Sequence, residues 1–299
     1  MVSPILLSGG SGFLGWSFVA EAQPQSLLLP LRREMPALRE RAQVEHLLLE
    51  DENQLRQFWK QWHPRALIHA AACADPRQCE EQPILSRYIN ETLPTIFAEL
   101  CAEADVPMVH VSSDLVFNGR HAPYGEQDSV APLSAYGWQK ARAEKSVLSA
   151  NPKAWVIRLP LLYGESGPWS RNGLAEQWDR LLAGQTLQLF CDEYRTPARA
   201  RRIARFVLDH LGDYSGIMNL GGPERLSRLQ MGESLCRMIG GDSRLIKSLR
   251  QCDLNLGTER PADVSLNSDI ARIAGYAHHS FEEELLDIQR RGRWVNGGF

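Results

Sequence analysis

The chain has 299 residues, 43% of them hydrophobic, and a formal net charge of −3 at pH 7. That length supports one large core or two smaller ones, and the near-balanced charge argues against nucleic-acid binding as the main activity. No apolar run reaches the roughly 18 residues of a membrane-spanning helix, and the opening MVSPILLSGG lacks the basic stretch and cleavage site of a secretory signal, so a cytoplasmic protein without membrane or nucleic-acid partners is expected.

In chain order, PILLS (4–8) reads as a buried strand, followed by a glycine turn and the helical stretch FLGWSFVAEA. Further strands are expected at SLLLPL (26–31), ALIHAA (66–71), PMVHVSS (107–113), AWVIRLP (154–160) and GIMNLGG (216–222). Between them ENQLRQFWKQW, ILSRYINETLPTIFAELCAEA, YGWQKARAEKSVLSA and RIARFVLDHL read as helices. This alternation predicts an α/β fold with a Rossmann-type, doubly wound parallel sheet. Continuous apolar strands indicate that both sheet faces are covered. Beyond about residue 165 the strand rhythm thins, and GPWSRNGLAEQWDRLLAG and everything after Gly222 read as helices and loops. The expected organisation is a dinucleotide-binding domain over 1–164, with 193–222 returning to it. A smaller, mostly helical substrate-binding part would be made of 165–192 and 223–299, folded over the carboxyl ends of the sheet, where open α/β sheets bind ligands.

The turn SGGSGFLG lies between the first strand and the first helix. Gly9, Gly12 and Gly15 fit G-x-x-G-x-x-G, and Gly10, Gly12 and Gly15 also fit G-x-G-x-x-G. Glycine allows a positive φ and a close backbone approach to a pyrophosphate, and the helix N-terminus favours the negative charge. At the first strand–helix junction of a βαβ pattern the motif points to a dinucleotide. The second strand ends in Arg32 and Arg33, with Glu34 beyond. Guanidinium groups there suit the 2′-phosphate of NADP, so NADP(H) is expected over NAD(H).

Tyr136 and Lys140 are four residues apart and share one helix face. An ammonium near a phenol favours the phenolate, and the phenol can then exchange a proton with a carbonyl or alcohol oxygen. A hydroxyl at the preceding strand end, Ser113 or its neighbour Ser112, would hold that oxygen. With a nicotinamide supplying hydride, the span reads as an oxidoreductase site. The six cysteines are scattered, with no C-x-x-C pair and no histidine at ligand spacing, so they read as reduced structural thiols and no metal is expected. His278 and His279 read as surface residues.

Gly9, Gly12 and Gly15, HAAA (69–72), SSDLVFNG (112–119) and YGWQK (136–140) together resemble the extended short-chain dehydrogenase/reductases. SSDLVFNGRHAPYGEQD is most similar to the S-T-D-x-V-F-x-G…P-Y-x-E-x-D stretch of the dTDP-4-dehydrorhamnose reductase branch. CADPRQCEEQP (73–83), RLPLLYG (158–164), FCDEYRTP (190–197), NLGGPERLSRLQMGE (219–233) and RPADVSLNS (260–268) extend the likeness over nearly the whole chain. The resemblance implies a catalytic set of Ser113, Tyr136 and Lys140, with Tyr136 as general acid in reduction and Asn90 supporting a proton relay. It implies cofactor contacts from Gly9, Ser11, Gly12, Phe13, Leu14, Gly15, Arg32, Arg33, Ala70, Ala71, Ala72 and Ser112, besides Tyr136 and Lys140. On the substrate side it implies Asp114, Val116, Phe117, Leu161 and Arg195.

Three departures bear on the substrate. Asp114 is followed by Leu115, so the second carboxyl group of the related dehydratases is missing. The acidic position near the adenine falls on Leu48, and Asp51 reads as a helix N-cap. Leu161 stands where the rhamnose branch has a tryptophan. The function implied is an NADP(H)-preferring reductase of a nucleotide-linked 4-keto sugar, a small-molecule substrate. Two alternatives go with the same likeness: a non-catalytic NADP-binding subunit similar to the β subunit of methionine adenosyltransferase, and an NAD-dependent sugar epimerase. Some relatives dimerise, and the 8 tryptophans leave room for a homodimer interface.

Overall fold

The computed structural model describes residues 3–33, 35–170, 172–254, 259–277 and 279–291. Glu34 and His278 lie outside the described residues. The chain divides into two compact units. The first comprises residues 1–113, 135–158 and 204–218, and the second 114–134, 159–203 and 219–299.

The first unit is built on strands β1 (Ile5–Ser8), β2 (Leu27–Leu31), β3 (Gln43–His46), β4 (Ala66–His69), β5 (Met108–Ser113) and β6 (Trp155–Leu159). With Gly216–Asn219 they form a seven-stranded sheet in the order Gly216–Asn219, β6, β5, β4, β1, β2, β3. The pairs β1–β2, β2–β3, β1–β4 and β4–β5 are parallel. The order reverses between β1 and β4, which marks the switch point where a doubly wound sheet opens its crevice. β1, β2, β4 and β6 are buried along their whole length, as helices on both faces require. Pro30 is tolerated in β2 because pairing with β1 ends at Leu28.

β3 was not expected. Its sequence, QVEH, is a short edge strand with only Val44 buried, so it lacks the apolar run that betrays a covered strand. The helix after it begins where Asp51 accepts the Gln54 N–H at 3.0 Å, as the sequence predicted. One core cluster of this unit packs Leu6, Leu28, Leu67, Met108 and Val156 from the sheet against Leu55, Trp59, Ile96 and Phe97 from the helices. Each such side chain contributes about 1.5–3 kcal/mol by leaving water.

The second unit holds helices Gly173–Leu182, Arg228–Met238 and Phe281–Arg290, but it is not only helices and loops. Leu187–Phe190 pairs in parallel with Ile246–Leu249, and two-residue ladders join Leu162–Tyr163 to Ala198–Arg199 and Tyr194–Arg195 to Leu226–Ser227. These strands are too short, and their partners too distant in sequence, to show as a repeat. Their core packs Leu187 and Leu189 against Trp178, Leu235, Phe281 and Leu285. Among the described residues no helix is long and apolar enough to cross a membrane.

Candidate active site

The glycine turn is shaped by close approach. Gly9 has φ of +80°, and a Cβ there would lie 2.6 Å from the Ala71 nitrogen. A Cβ on Gly15 would fall 2.0 Å from the Gly9 carbonyl oxygen. Only glycine lets the turn close against the chain leaving β4. Gly12 then caps helix α1 (Phe13–Glu21) without a side chain bonding its first-turn amides, which suits an N-terminus that receives an anion. Ser11, Phe13 and Leu14 are half-buried beside it, and Ala70, Ala71 and Ala72 follow β4 as an open, small-residue segment. At the end of β2, Arg32 and Arg33 are both exposed, and Arg32 is ion-paired with Glu50.

Helix Ala135–Ala150 carries Tyr136 in its first turn and Lys140 one turn on, with 8% and 2% of their surfaces exposed. Burial pushes the Lys140 ammonium down to about 8, while Glu144 pulls it the other way. Its Nζ lies 3.5 Å from His110 Nε2. Glu144, one further turn along, is held by Arg158 through Nε–Oε1 at 3.0 Å and Nη2–Oε2 at 2.8 Å, and it accepts the Ser112 hydroxyl at 2.5 Å. Ser112 is thus committed to Glu144, and of the two serines Ser113, the last residue of β5, is the better candidate for the reacting oxygen.

The buried lysine gives a stability prediction. Its folded-state value near 8 lies below the unfolded value of about 10.4. The unfolded chain therefore binds more protons between those pH values, and stability rises with pH across that window. Below pH 8 the full penalty, on the order of 3 kcal/mol, is present. Lys140→Met is expected to raise Tm at pH 7 and to flatten the rise between pH 8 and 10 relative to wild type. A variant less stable than wild type at pH 7 would contradict this.

Other expected site residues are held by partners within the protein. Asn90 lies in a π-helical turn, Tyr88–Thr92. Its Oδ1 accepts the Cys73 N–H at 2.9 Å, and its Nδ2 donates to the Cys73 carbonyl at 3.0 Å and to Gln139 Oε1 at 2.7 Å. These bonds anchor the segment that follows Ala70, Ala71 and Ala72. Val116 and Phe117 are fully buried, and Phe117 stacks on Tyr124 with centroids 4.1 Å apart. Arg195 is 5% exposed, ion-paired with Asp114 and Glu193, and donates to the Tyr194 carbonyl. Its charge is used inside the protein, and a substrate diphosphate would compete with two carboxylates for it. Leu161 is half-buried against the second unit's core. Among the arginines of 199–205, buried Arg199 binds Glu165, Glu284 and Asp287, and half-exposed Arg202 binds Glu284, which fastens helix Phe281–Arg290, while Arg205 is exposed.

Two features went unread in the sequence. Glu144 continues the four-residue spacing of Tyr136 and Lys140, a signal that was there to find. His69 and His110 are polar rings inside otherwise apolar strands, and each is at most 1% exposed.

The sheet order, the glycine turn and the Tyr-x-x-x-Lys helix define an extended short-chain dehydrogenase/reductase. Within that class the chain belongs to the family described as "RmlD substrate binding domain", whose model matches residues 3–292. It is 33% identical over 228 residues, 75% of this chain and 76% of the relative, to a probable low-salt glycan biosynthesis reductase of Haloferax volcanii. It is 26% identical over 274 residues, 88% of this chain and 80% of the relative, to methionine adenosyltransferase 2 subunit beta of Pongo abelii. Its fold matches the crystal structure of a Clostridium acetobutylicum dTDP-4-dehydrorhamnose reductase with TM-score 0.84 at 23% identity, covering 96% of this chain and 99% of that one. The Bacillus anthracis dTDP-4-dehydrorhamnose reductase in complex with NADP also matches with TM-score 0.84, at 19% identity and 97% and 100% coverage.

Proposed function

We propose that this chain is an NADP(H)-preferring reductase of a nucleotide-linked 4-keto sugar. The observation that carries the reading is Lys140: an ammonium buried to 2% exposure, one turn from a buried tyrosine and bonded to an imidazole, with its nearest acidic helix neighbour already bidentate to an arginine. Such a cation lowers stability and persists where chemistry uses it.

The turn residues fit a dinucleotide, since Gly9 and Gly15 let the turn close tightly between β1 and α1 and α1 has no side-chain cap on its first amides. Gly9, Ser11, Gly12, Phe13, Leu14 and Gly15 would receive the pyrophosphate, Ala70, Ala71 and Ala72 would pass beside the cofactor, and Arg33, with Arg32, would meet a 2′-phosphate. A bound nicotinamide supplies the hydride. Ser113 holds the keto oxygen by a hydrogen bond. Tyr136 gives its proton to that oxygen as it becomes an alkoxide, and the Lys140 charge stabilises the phenolate left behind.

The names of the relatives support this reading: one is a probable glycan biosynthesis reductase, and dTDP-4-dehydrorhamnose reductases share the fold. The test is NADPH and NADH oxidation with a panel of nucleotide-linked 4-keto sugars. NADPH-dependent turnover, with NADH markedly slower, is expected. A second reading, a non-catalytic subunit, is favoured by the relatives named methionine adenosyltransferase 2 subunit beta. It predicts no turnover on any sugar and purification with a stoichiometric partner.

A further inference from the structure

Three neighbouring strands of the first unit each contribute one buried polar side chain at matching register. Ser8 of β1 pairs with His69 of β4, and His69 with His110 of β5. Each is at most 1% exposed. Ser8 Oγ lies 2.6 Å from His69 Nδ1. The two imidazoles stack with centroids 5.4 Å apart and planes 16° from parallel. The row ends at Lys140, whose Nζ is 3.5 Å from His110 Nε2. The reaction proposed above uses neither histidine.

The contact has two chemical forms. An ammonium has only donors, so a charged Lys140 requires His110 Nε2 to accept, which places the ring proton on Nδ1. Only a neutral amine, which has a lone pair, could also accept from a protonated Nε2, so a protonated Nε2 is incompatible with the ammonium contact. Burial, reinforced by Lys140, holds His110 well below its ordinary value and His69 at about 3, so both rings are neutral and able to accept at neutral pH. The charged and titratable groups coupled to Lys140 are Glu144 on its own helix, His110 on β5 and His69 on β4, and Tyr136 shares its helix face one turn earlier. Glu144 is engaged by Arg158 and Ser112. The Nδ1–H form leaves a buried donor without an acceptor among the described residues, a cost offset by the stronger charge-assisted bond at Nε2.

We propose that His110 is a positioning residue for Lys140: as the Nδ1–H tautomer it accepts a hydrogen bond from the ammonium and fixes both the place and the charge of that nitrogen. The purpose of a fixed ammonium rests on the reductase reading. The hydrogen bond itself is testable without cofactor, substrate or turnover.

Two NMR measurements on the full chain test it. In 15N-labelled wild type, long-range 1H–15N correlation reads the His110 tautomer directly. The expected result is a protonated Nδ1 and an unprotonated Nε2, and a protonated Nε2 overturns the proposal. With lysine labelled at Cε, only five lysines give signals, and Lys140 is assigned by its loss in Lys140→Met. Its titration midpoint is expected to fall by about one pH unit in His110→Phe, which keeps a ring but no acceptor. In His110→Gln, which restores an acceptor, the midpoint is expected to return most of the way. An unchanged midpoint in the Phe variant, or a Gln variant shifted as far as Phe, overturns the proposal. If circular dichroism shows that the Phe variant does not fold, the wild-type tautomer decides. Absent turnover on keto sugars with these NMR results intact would remove the reductase reading and leave the hydrogen bond standing.

Discussion

Tyr136→Phe is expected to lower the rate of keto-sugar reduction by about 10²–10⁴-fold, the usual contribution of a positioned acid. The substitution removes one oxygen from a side chain that is 8% exposed and leaves the ring in place. Packing is therefore conserved, and NADPH binding, judged by thermal shift, should stay near wild type. Lys140 and the glycine turn keep their own contacts in the variant, so a lost rate with retained binding isolates proton transfer. Loss of binding together with rate would mean that Tyr136 supports the fold, and an unchanged rate would remove it from the chemistry.

Glu144→Leu is expected to cost about 3–5 kcal/mol, because it leaves the Arg158 guanidinium, 2% exposed, without this carboxylate. At roughly 2–4 °C per kcal/mol for a domain of this size, Tm should fall by about 10 °C. The pair joins helix Ala135–Ala150 to β6, and Ser112 ties the same carboxylate to β5. A buried acid thus ties the helix of Tyr136 and Lys140 to two strands of the sheet. Adding Arg158→Met to Glu144→Leu should recover much of the lost stability, since two apolar side chains replace two charges. Thermal melts of the two single variants and the double variant check this. A single-variant cost below about 1 kcal/mol would mean that water reaches the pair.

Much of the architecture was legible because buried parallel strands announce themselves. ILLS, LLLPL, ALIH and WVIRL are mostly apolar runs, and the turn glycines sit where a side chain would collide with Ala71 or the Gly9 carbonyl. β3 was missed because an edge strand need not be apolar. The second unit's strands were missed because pairing such as Leu187–Phe190 with Ile246–Leu249 depends on contacts made across more than fifty residues. In the candidate site, the shared helix of Tyr136 and Lys140 and the place of Ser113 at the end of β5 were readable from spacing and chain order. The surroundings of Arg195, Val116, Phe117 and Asn90 were not, since sequence shows a side chain's chemistry but not which partner it meets. Arg195 reads as a free cation until Asp114 and Glu193 are seen beside it. Nor does the sequence show that both polar groups of the Cys73 backbone meet the Asn90 amide.

The most direct test of the reductase account follows a label. NADPH carrying deuterium at nicotinamide C4 is incubated with the protein and a nucleotide-linked 4-keto sugar, and the product is analysed by mass spectrometry and NMR. The account predicts one deuterium on the former carbonyl carbon for each NADPH consumed, with that transfer abolished in Tyr136→Phe. Product without deuterium, or sugar conversion with no net NADPH consumed, would contradict it.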